Sequence, residues 1–292
     1  MIDQFLDYMR YERRRSPLTV QEYRETLKLF GEYLGKKENG LSWLSVDADV
    51  VRGWMEQMLD KGVKASTVNT NLSILRSFYR YALREGWVER NPMIRVKGPK
   101  KEKPLPQFVR PSEMDRLIDD YQWGDDFKSI RARTLIILLY ESGMRRSELV
   151  GLNDADIDWT AGQLKVTGKR NKQRIIPFGE EVADALRQYQ AQRDANVPRL
   201  TEALFVSDKG LRMTGSQVYT IVRESLSVVT TMKKRSPHVL RHSFATAMLN
   251  NGAGIESVRK LLGHESVATT EIYTHTTFEQ LREVYANAHP RG

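Results

Sequence analysis

Over residues 1–90 the apolar positions recur at the spacing of amphipathic helices. Ile2, Phe5, Leu6 and Met9 form one stripe. Val20, Tyr23, Leu27, Phe30 and Leu34 form a second, behind the start signal Ser16-Pro17. A third runs through Val50, Val51, Trp54, Met55 and Met58 to Gly62, and a fourth through Val68, Leu72, Leu75, Phe78, Tyr79 and Ala82 to Gly86. Helices joined by such short loops predict a small bundle with its own core. The pattern then breaks. Asn91 to Gln107 carries four prolines and, against the single acid Glu102, the cations Arg95, Lys97, Lys100, Lys101 and Lys103. Proline keeps such a segment off the helical path, so 91–107 reads as a basic linker.

From residue 108 the pattern is mixed. Pro111-Ser112-Glu113 opens a helix, and Ile130 to Tyr140 is a long apolar helix stopped by Gly143. Gln163–Val166 and Arg174–Pro177 alternate as strands around the loop GKRNKQ, which predicts a hairpin with a basic tip. Helices resume at Glu180–Arg193, Thr214–Leu226, Pro237–Asn251 and Ile255–Leu262, with a short helical segment at Val267–Tyr273 and a final amphipathic stretch at Phe278–Ala288.

Composition narrows the chemistry. Lys and Arg number 46 against 37 Asp and Glu, a net charge of +9, which points toward nucleic acid. There is no cysteine, so disulfides, thiolate catalysis and cysteine-based zinc sites are excluded. No apolar run approaches a membrane span, and the N-terminus lacks a signal pattern, so a cytoplasmic protein with no membrane partner is expected. The outer face of the fourth helix presents Ser66, Thr67, Asn69, Asn71, Arg76, Arg80 and Arg84, side chains able to bond phosphates or base edges, or simply to be solvated.

Several residues in the second half have the chemistry of a phosphate pocket. Arg145 follows the helix stop at Gly143, and a guanidinium donates two parallel hydrogen bonds to an anion without losing its proton. Lys169 sits in the hairpin loop with Arg170, Lys172 and Arg174 close by, suited to proton delivery or to gripping a backbone. Ser236-Pro237 starts a helix whose first turn projects His238 and Arg241 from one face, near its positive end. His238 and His242 stand four apart, but Val239 occupies the position a zinc-protease helix gives to Glu, so no metal is expected. His264 follows Gly263, a helix C-cap, and Tyr273 lies nine residues on. Each of these has an ordinary structural reading when taken singly.

Their order, in SGMRRSEL, VTGKRNKQRIIP, SPHVLRHSFAT and LLGHESVATTEIYTH, resembles the tyrosine recombinase (phage integrase) family, nearest its Xer-type members. The resemblance spans nearly the whole chain. It implies a mainly α fold with a small β-hairpin sheet in two domains that clamp DNA. These are a helical SAM-like core-binding domain at 1–90, the linker at 91–107, and a catalytic domain at 108–292 with an exchange helix at 278–288. It assigns Arg145, Lys169, His238, Arg241 and His264 to the phosphate pocket and Tyr273 to nucleophilic attack, forming a 3′-phosphotyrosyl link with no cofactor, metal or ATP. It selects Arg145 over Arg146, and departs at Arg170, where the family commonly has glycine. DNA contacts are expected from Asn69, Asn71, Arg76, Arg80, Lys97, Lys100, Lys101, Arg170 and Lys172. Partners implied are double-stranded DNA at paired sites, a homo- or heterotetramer made by exchange of the last helix, and a partner recombinase or DNA translocase. The start of the chain at its first helical stripe favours an Xer-like system over an integrase with an extra arm-binding module. Rival readings are a type IB topoisomerase and a catalytically silent DNA-binding protein.

Overall fold

Two compact units divide the chain at Met1–Pro104 and Leu105–Gly292 in the computed structural model. It describes residues 1–36, 40–100, 107–168, 171–263 and 278–291.

The first unit is built from α1 (Ile2–Asp7, continued by a π-turn over Tyr8–Glu12), α2 (Pro17–Gly35), α3 (Ala48–Asp60) and α4 (Ala65–Arg84). The start signal expected at Ser16 is in place, and α3 has a side-chain cap of its own at Asp47. Ser16 Oγ accepts from the Thr19 N–H at 3.3 Å, and Asp47 Oδ1 accepts from Asp49 and Val50 N–H, each at 2.9 Å. All four apolar stripes face inward, and the core is largely aromatic. Phe30 meets Trp54 edge-on at 4.9 Å, Trp43 meets Phe78 at 5.1 Å, and Phe78 meets Phe5 at 5.4 Å.

Residues 91–100 belong to this core as much as to any linker. Met93 and Val96 are buried with it, the Asn69 amide donates to Pro99 O at 2.9 Å, and Arg76 donates to Val96 O at 3.0 Å. Prolines and lysines dominate the segment's composition, and two apolar residues three apart suffice to seat it on α4.

The second unit surrounds α6 (Phe127–Ser142), which is apolar on nearly every face and packs against α8 (Glu180–Asn196), α9 (Gly215–Val229) and α10 (Pro237–Asn250). Short α5 (Pro111–Asp115) leads into it. After α7 (Arg146–Gly151) comes a three-stranded antiparallel sheet: β1 (Ile157–Asp158), β2 (Gln163–Thr167) and β3 (Gln173–Pro177). The expected hairpin is β2–β3, with Leu164 opposite Ile176 and Val166 opposite Arg174. The two-residue β1 had no apolar alternation to betray it. α11 (Ile255–Leu262) and α12 (Phe278–Ala288) complete the unit. The segment Val267–Tyr273 lies outside the described residues. Among them, no helix is long and apolar enough to cross a membrane.

Two glycines are dictated by close approach. Gly143 ends α6 at φ +57°, and a Cβ there would lie 2.4 Å from Phe244 and 2.9 Å from Leu262. Gly263 ends α11 at φ +64°, where a Cβ would press within 3.1 Å of the Arg174 side chain.

α12 packs on α10, α11 and β3 of its own unit. The Tyr285 hydroxyl donates to the buried Glu141 carboxylate at 3.1 Å, and Arg291 bonds Glu181 and Asp119. His289 is buried, stacked on Tyr285 at 5.2 Å and close to Phe244 at 5.4 Å. Burial holds its imidazole down to about 4 from an ordinary 6.5, and Arg291 adds to the effect. The folded state therefore favours the neutral ring. The stability this contributes is complete above pH 6.5 and is lost as pH falls toward 4. Between pH 7 and pH 5 this one residue should cost the wild type about 2 kcal/mol. Urea unfolding at both pH values should show that loss in the wild type and its absence in His289→Phe; equal losses in the two proteins would contradict the assignment.

Candidate active site

Four segments far apart in sequence meet where α6 ends. Gly143 turns the chain sharply, so that Arg145 stands at the N-cap of α7. Glu148, three residues on, closes that helix start: its Oε2 accepts from the Arg145 N–H at 2.7 Å, the carboxylate half of a capping box. Glu148 Oε1 takes the Arg145 guanidinium at 2.8 Å, and Arg145 Nη2 reaches Gly263 O at 2.9 Å.

Arg241 arrives from the first turns of α10 and is only 7% exposed. Its Nη1 donates to Gly143 O at 2.8 Å and its Nη2 to Leu262 O at 2.7 Å. Burial, then the neighbouring Arg145, lower its guanidinium to about 10, which leaves it a cation at neutral pH.

Arg174 comes from β3 and completes the cluster. Its Nη1 and Nη2 fork onto Glu148 at 2.7 and 2.9 Å, and its Nε donates to Leu261 O at 2.9 Å. The last two carbonyls of α11, at Leu261 and Leu262, and that of its C-cap Gly263 thus each accept from a different arginine. A helix C-terminus carries partial negative charge, which suits three cations gathered on it. Among the described residues, the hydrogen-bond partners of these three guanidiniums include a single carboxylate, Glu148, so the cations there outnumber the acids.

His238 lies one turn before Arg241 on α10, exposed at the edge of this cluster. Burial of part of the ring, then Arg146, Arg241, Lys234 and His242, hold its pKa below the ordinary value, which favours the neutral imidazole. The α10 start differs in one detail from expectation: Ser236 is the N-cap by backbone, but its hydroxyl makes no cap bond and is buried without a partner among the described residues. Arg146 reaches the start of α9, where its Nε lies 3.0 Å from the place a Cβ on Gly215 would take.

Arg145, His238 and Arg241 therefore converge, while Lys169, Arg170, His264 and Tyr273 lie outside the described residues. The hairpin tip beside Lys169 carries Asn171 at φ +59°, a left-handed conformation that asparagine tolerates. Lys172 is exposed next to it. Sequence reasoning missed Glu148 and Arg174 as parts of the site. The spacing of Glu148 from Arg145 was the available signal for the first. Arg174 reads from the sequence as the first residue of the second strand, one more cation close to the basic loop, with nothing local to mark its partners.

The expected DNA-contact residues of the first unit are unevenly available. Arg80, Lys97 and Lys100 are exposed, and Lys101 lies outside the described residues. Asn69 and Arg76 spend donors on the 91–100 segment, and Asn71 is half-buried between Thr26 and Met58, at 3.3 and 3.4 Å.

A two-unit, mainly helical chain with an arginine cluster at a helix junction defines a class that comparison with known proteins identifies. The phage integrase family model matches residues 107–280, and the N-terminal SAM-like domain of phage integrases matches 2–86. Tyrosine recombinase XerC of Chlorobaculum tepidum is 38% identical over all of this chain and 94% of its own length. Tyrosine recombinase XerD of Pseudomonas aeruginosa is 36% identical over all of this chain and 98% of its own. The XerH site-specific recombinase, solved bound to a palindromic difH substrate after cleavage, shares the fold with a TM-score of 0.74 at 23% identity, covering 98% of this chain and 84% of that one. The chain belongs to the phage integrase family and is a tyrosine site-specific recombinase.

Glu148 ties the cluster's charge to pH. Burial pushes its carboxyl up, but the hydrogen bonds from Arg174 and Arg145 outweigh burial and hold it below the ordinary 4.5. Its stabilisation is therefore present above pH 4.5 and is lost as pH falls through the lowered value. Glu148→Gln leaves two arginines without their carboxylate and should cost about 3 kcal/mol at pH 7. Denaturant titrations from pH 7 to 3 should show the gap between variant and wild type closing toward the acid end; a gap that stays constant with pH would contradict the ion-pair account.

Proposed function

We propose that the chain cleaves and rejoins DNA at paired recombination sites through a phosphotyrosine intermediate, with Arg145 and Arg241 receiving the scissile phosphate. The observation that carries this reading is the cluster just described: two guanidiniums share one carboxylate, the third is anchored beside them on two backbone carbonyls, and Arg145 and Arg241 each have N–H groups beyond these bonds with which to meet an anion.

In this reading the Tyr273 oxygen attacks phosphorus at a backbone phosphodiester. A Tyr–O–P bond forms, the P–O5′ bond breaks, and the 5′ oxygen departs as a hydroxyl after taking a proton. Arg145 and Arg241 neutralise charge on the non-bridging oxygens of the five-coordinate transition state, and His264 donates to the same oxygens. Lys169 supplies the proton to the leaving oxygen. His238, neutral at pH 7 for the reasons above, accepts or orients the tyrosine proton. The released 5′-hydroxyl of a partner duplex then attacks the phosphotyrosine and restores a diester, so bond energy is conserved and neither ATP nor a metal is called for.

Arg80, Lys97, Lys100, Lys101, Arg170 and Lys172 follow the DNA backbone in this reading, with Asn69, Asn71 and Arg76 supporting the helix face they share. Four protomers assemble on paired sites, joined by α12 passing between neighbours, since head-to-tail contacts of that kind close into rings. The protein works in the cytoplasm, where its chromosomal or mobile-element DNA lies. Similarity to XerC and XerD supports chromosome dimer resolution among the possible tasks, with a partner recombinase or translocase as an added component.

A nicked suicide duplex carrying the cognate site tests the central step. The wild type should form a covalent protein–DNA adduct, Tyr273→Phe should form none, and Arg241→Ala should cleave about 10²–10³-fold more slowly. An adduct from Tyr273→Phe would overturn the nucleophile assignment. On a plasmid with two directly repeated sites, resolution into two circles is expected, and relaxation without resolution would favour a topoisomerase.

A further inference from the structure

Arg174 lies on β3 opposite Val166, and its side chain leaves the sheet toward α7 and α11. Three of its five N–H groups are already used: two on Glu148 and one on Leu261 O. Glu148 is saturated in turn. Each of its oxygens accepts one bond from Arg174 and one from Arg145, which fills the four acceptor sites of a carboxylate. The fit is tight, because Gly263 approaches Arg174 so closely that any side chain there would have to displace it. An arginine held this way is not a flexible cation on a hairpin.

We propose that Arg174 is a positioning residue for strand cleavage: it fixes Arg145 through the shared Glu148 carboxylate and pins the end of α11 through Leu261 O, without contacting DNA. This rests on the assignment of Arg145 to the scissile phosphate. The plainer alternative is that Arg174 belongs to the basic hairpin and grips the DNA backbone. The two differ in what they move. A grip sets affinity, and lysine performs it nearly as well. A brace sets the rate within the bound complex, and lysine fails, because a point-charge ammonium cannot span a carboxylate and a carbonyl as the planar fork does.

The test compares wild type, Arg174→Lys, Arg174→Ala, Arg145→Ala and the Arg145→Ala/Arg174→Ala double variant in single-turnover cleavage of the suicide duplex at saturating protein. Arg174→Ala should retain duplex affinity and lose on the order of 10²-fold in cleavage rate, the scale of a small misplacement of a catalytic group. Arg174→Lys should not restore it, and the double variant should be no slower than Arg145→Ala alone, since both act through one group. Lost affinity with an intact rate, rescue by lysine, or additive losses would each overturn the proposal. Amide hydrogen exchange in the DNA-free protein gives a second readout that needs no activity. Residues 255–263 should exchange faster in Arg174→Ala while α6 and the first unit stay unchanged, and unaltered exchange at 255–263 would sink the brace. Should the wild type itself form no adduct on any duplex, the functional reading fails on its own, and the exchange result still decides whether Arg174 holds α11.

Discussion

Like charges do not gather in a half-buried place unless something holds them, and here the holder is one carboxylate. Glu148 is 2% exposed and accepts four hydrogen bonds, two from Arg145 and two from Arg174. The end of α11 supplies the rest of the compensation, because its last carbonyls face all three guanidiniums. Removing either element would strip buried or half-buried cations of part of their partners, a larger penalty than the loss of an exposed ion pair. The α6–α7 junction, β3, α10 and the α11 terminus are drawn together by this one arrangement. The glycines at 143 and 263 follow from it, since both stand where a side chain would collide with the packed neighbours.

The consequence for chemistry is a surplus of positive charge fixed in position before any substrate arrives. Guanidiniums anchored through some of their N–H groups on the protein's own carbonyls do not have to be repositioned when an anion binds the others, and preorganised charge is the usual source of transition-state stabilisation in phosphoryl transfer. His238, kept neutral by partial burial and by the surrounding cations, adds a group able to take a proton at the same edge. Membership in the phage integrase family is consistent with this design and gives it a substrate, a DNA strand.

Most of the architecture was legible in the chain because its elements are long and strongly periodic. The four stripes of the first unit, the apolar α6, the β2–β3 hairpin and the helices from α8 to α12 all fall close to where spacing and stop signals put them. The parts that escaped share a physical cause: their role depends on contacts made across the fold. Asn69 and Arg76 read as an outward polar face, yet they fasten residues 91–100 through backbone carbonyls no local pattern announces. Glu148 reads as a helix-start acid, and its burial between two arginines comes only from the meeting of α7 with β3. Arg174 reads as a strand residue next to a run of cations, and only the packing of β3 against α7 and α11 turns that charge inward onto Glu148 and Leu261 O. Of the arginine cluster, Arg145 and Arg241 were legible in the sequence, but not Arg174 and Glu148, whose bonds cross between β3 and α7.

Charge neutralisation at the scissile phosphate is the claim on which the account stands, and a substrate with that charge removed tests it most directly. Single-turnover cleavage would be compared on two suicide duplexes, one with an ordinary scissile phosphate and one with a neutral methylphosphonate there. If Arg241 serves to offset the phosphate's negative charge, Arg241→Ala should be impaired by about 10²-fold or more on the phosphate duplex. On the methylphosphonate its rate should approach that of the wild type. An equal defect on both duplexes would contradict the account, and would mean that Arg241 holds the fold of the pocket without acting on the charge that passes through it.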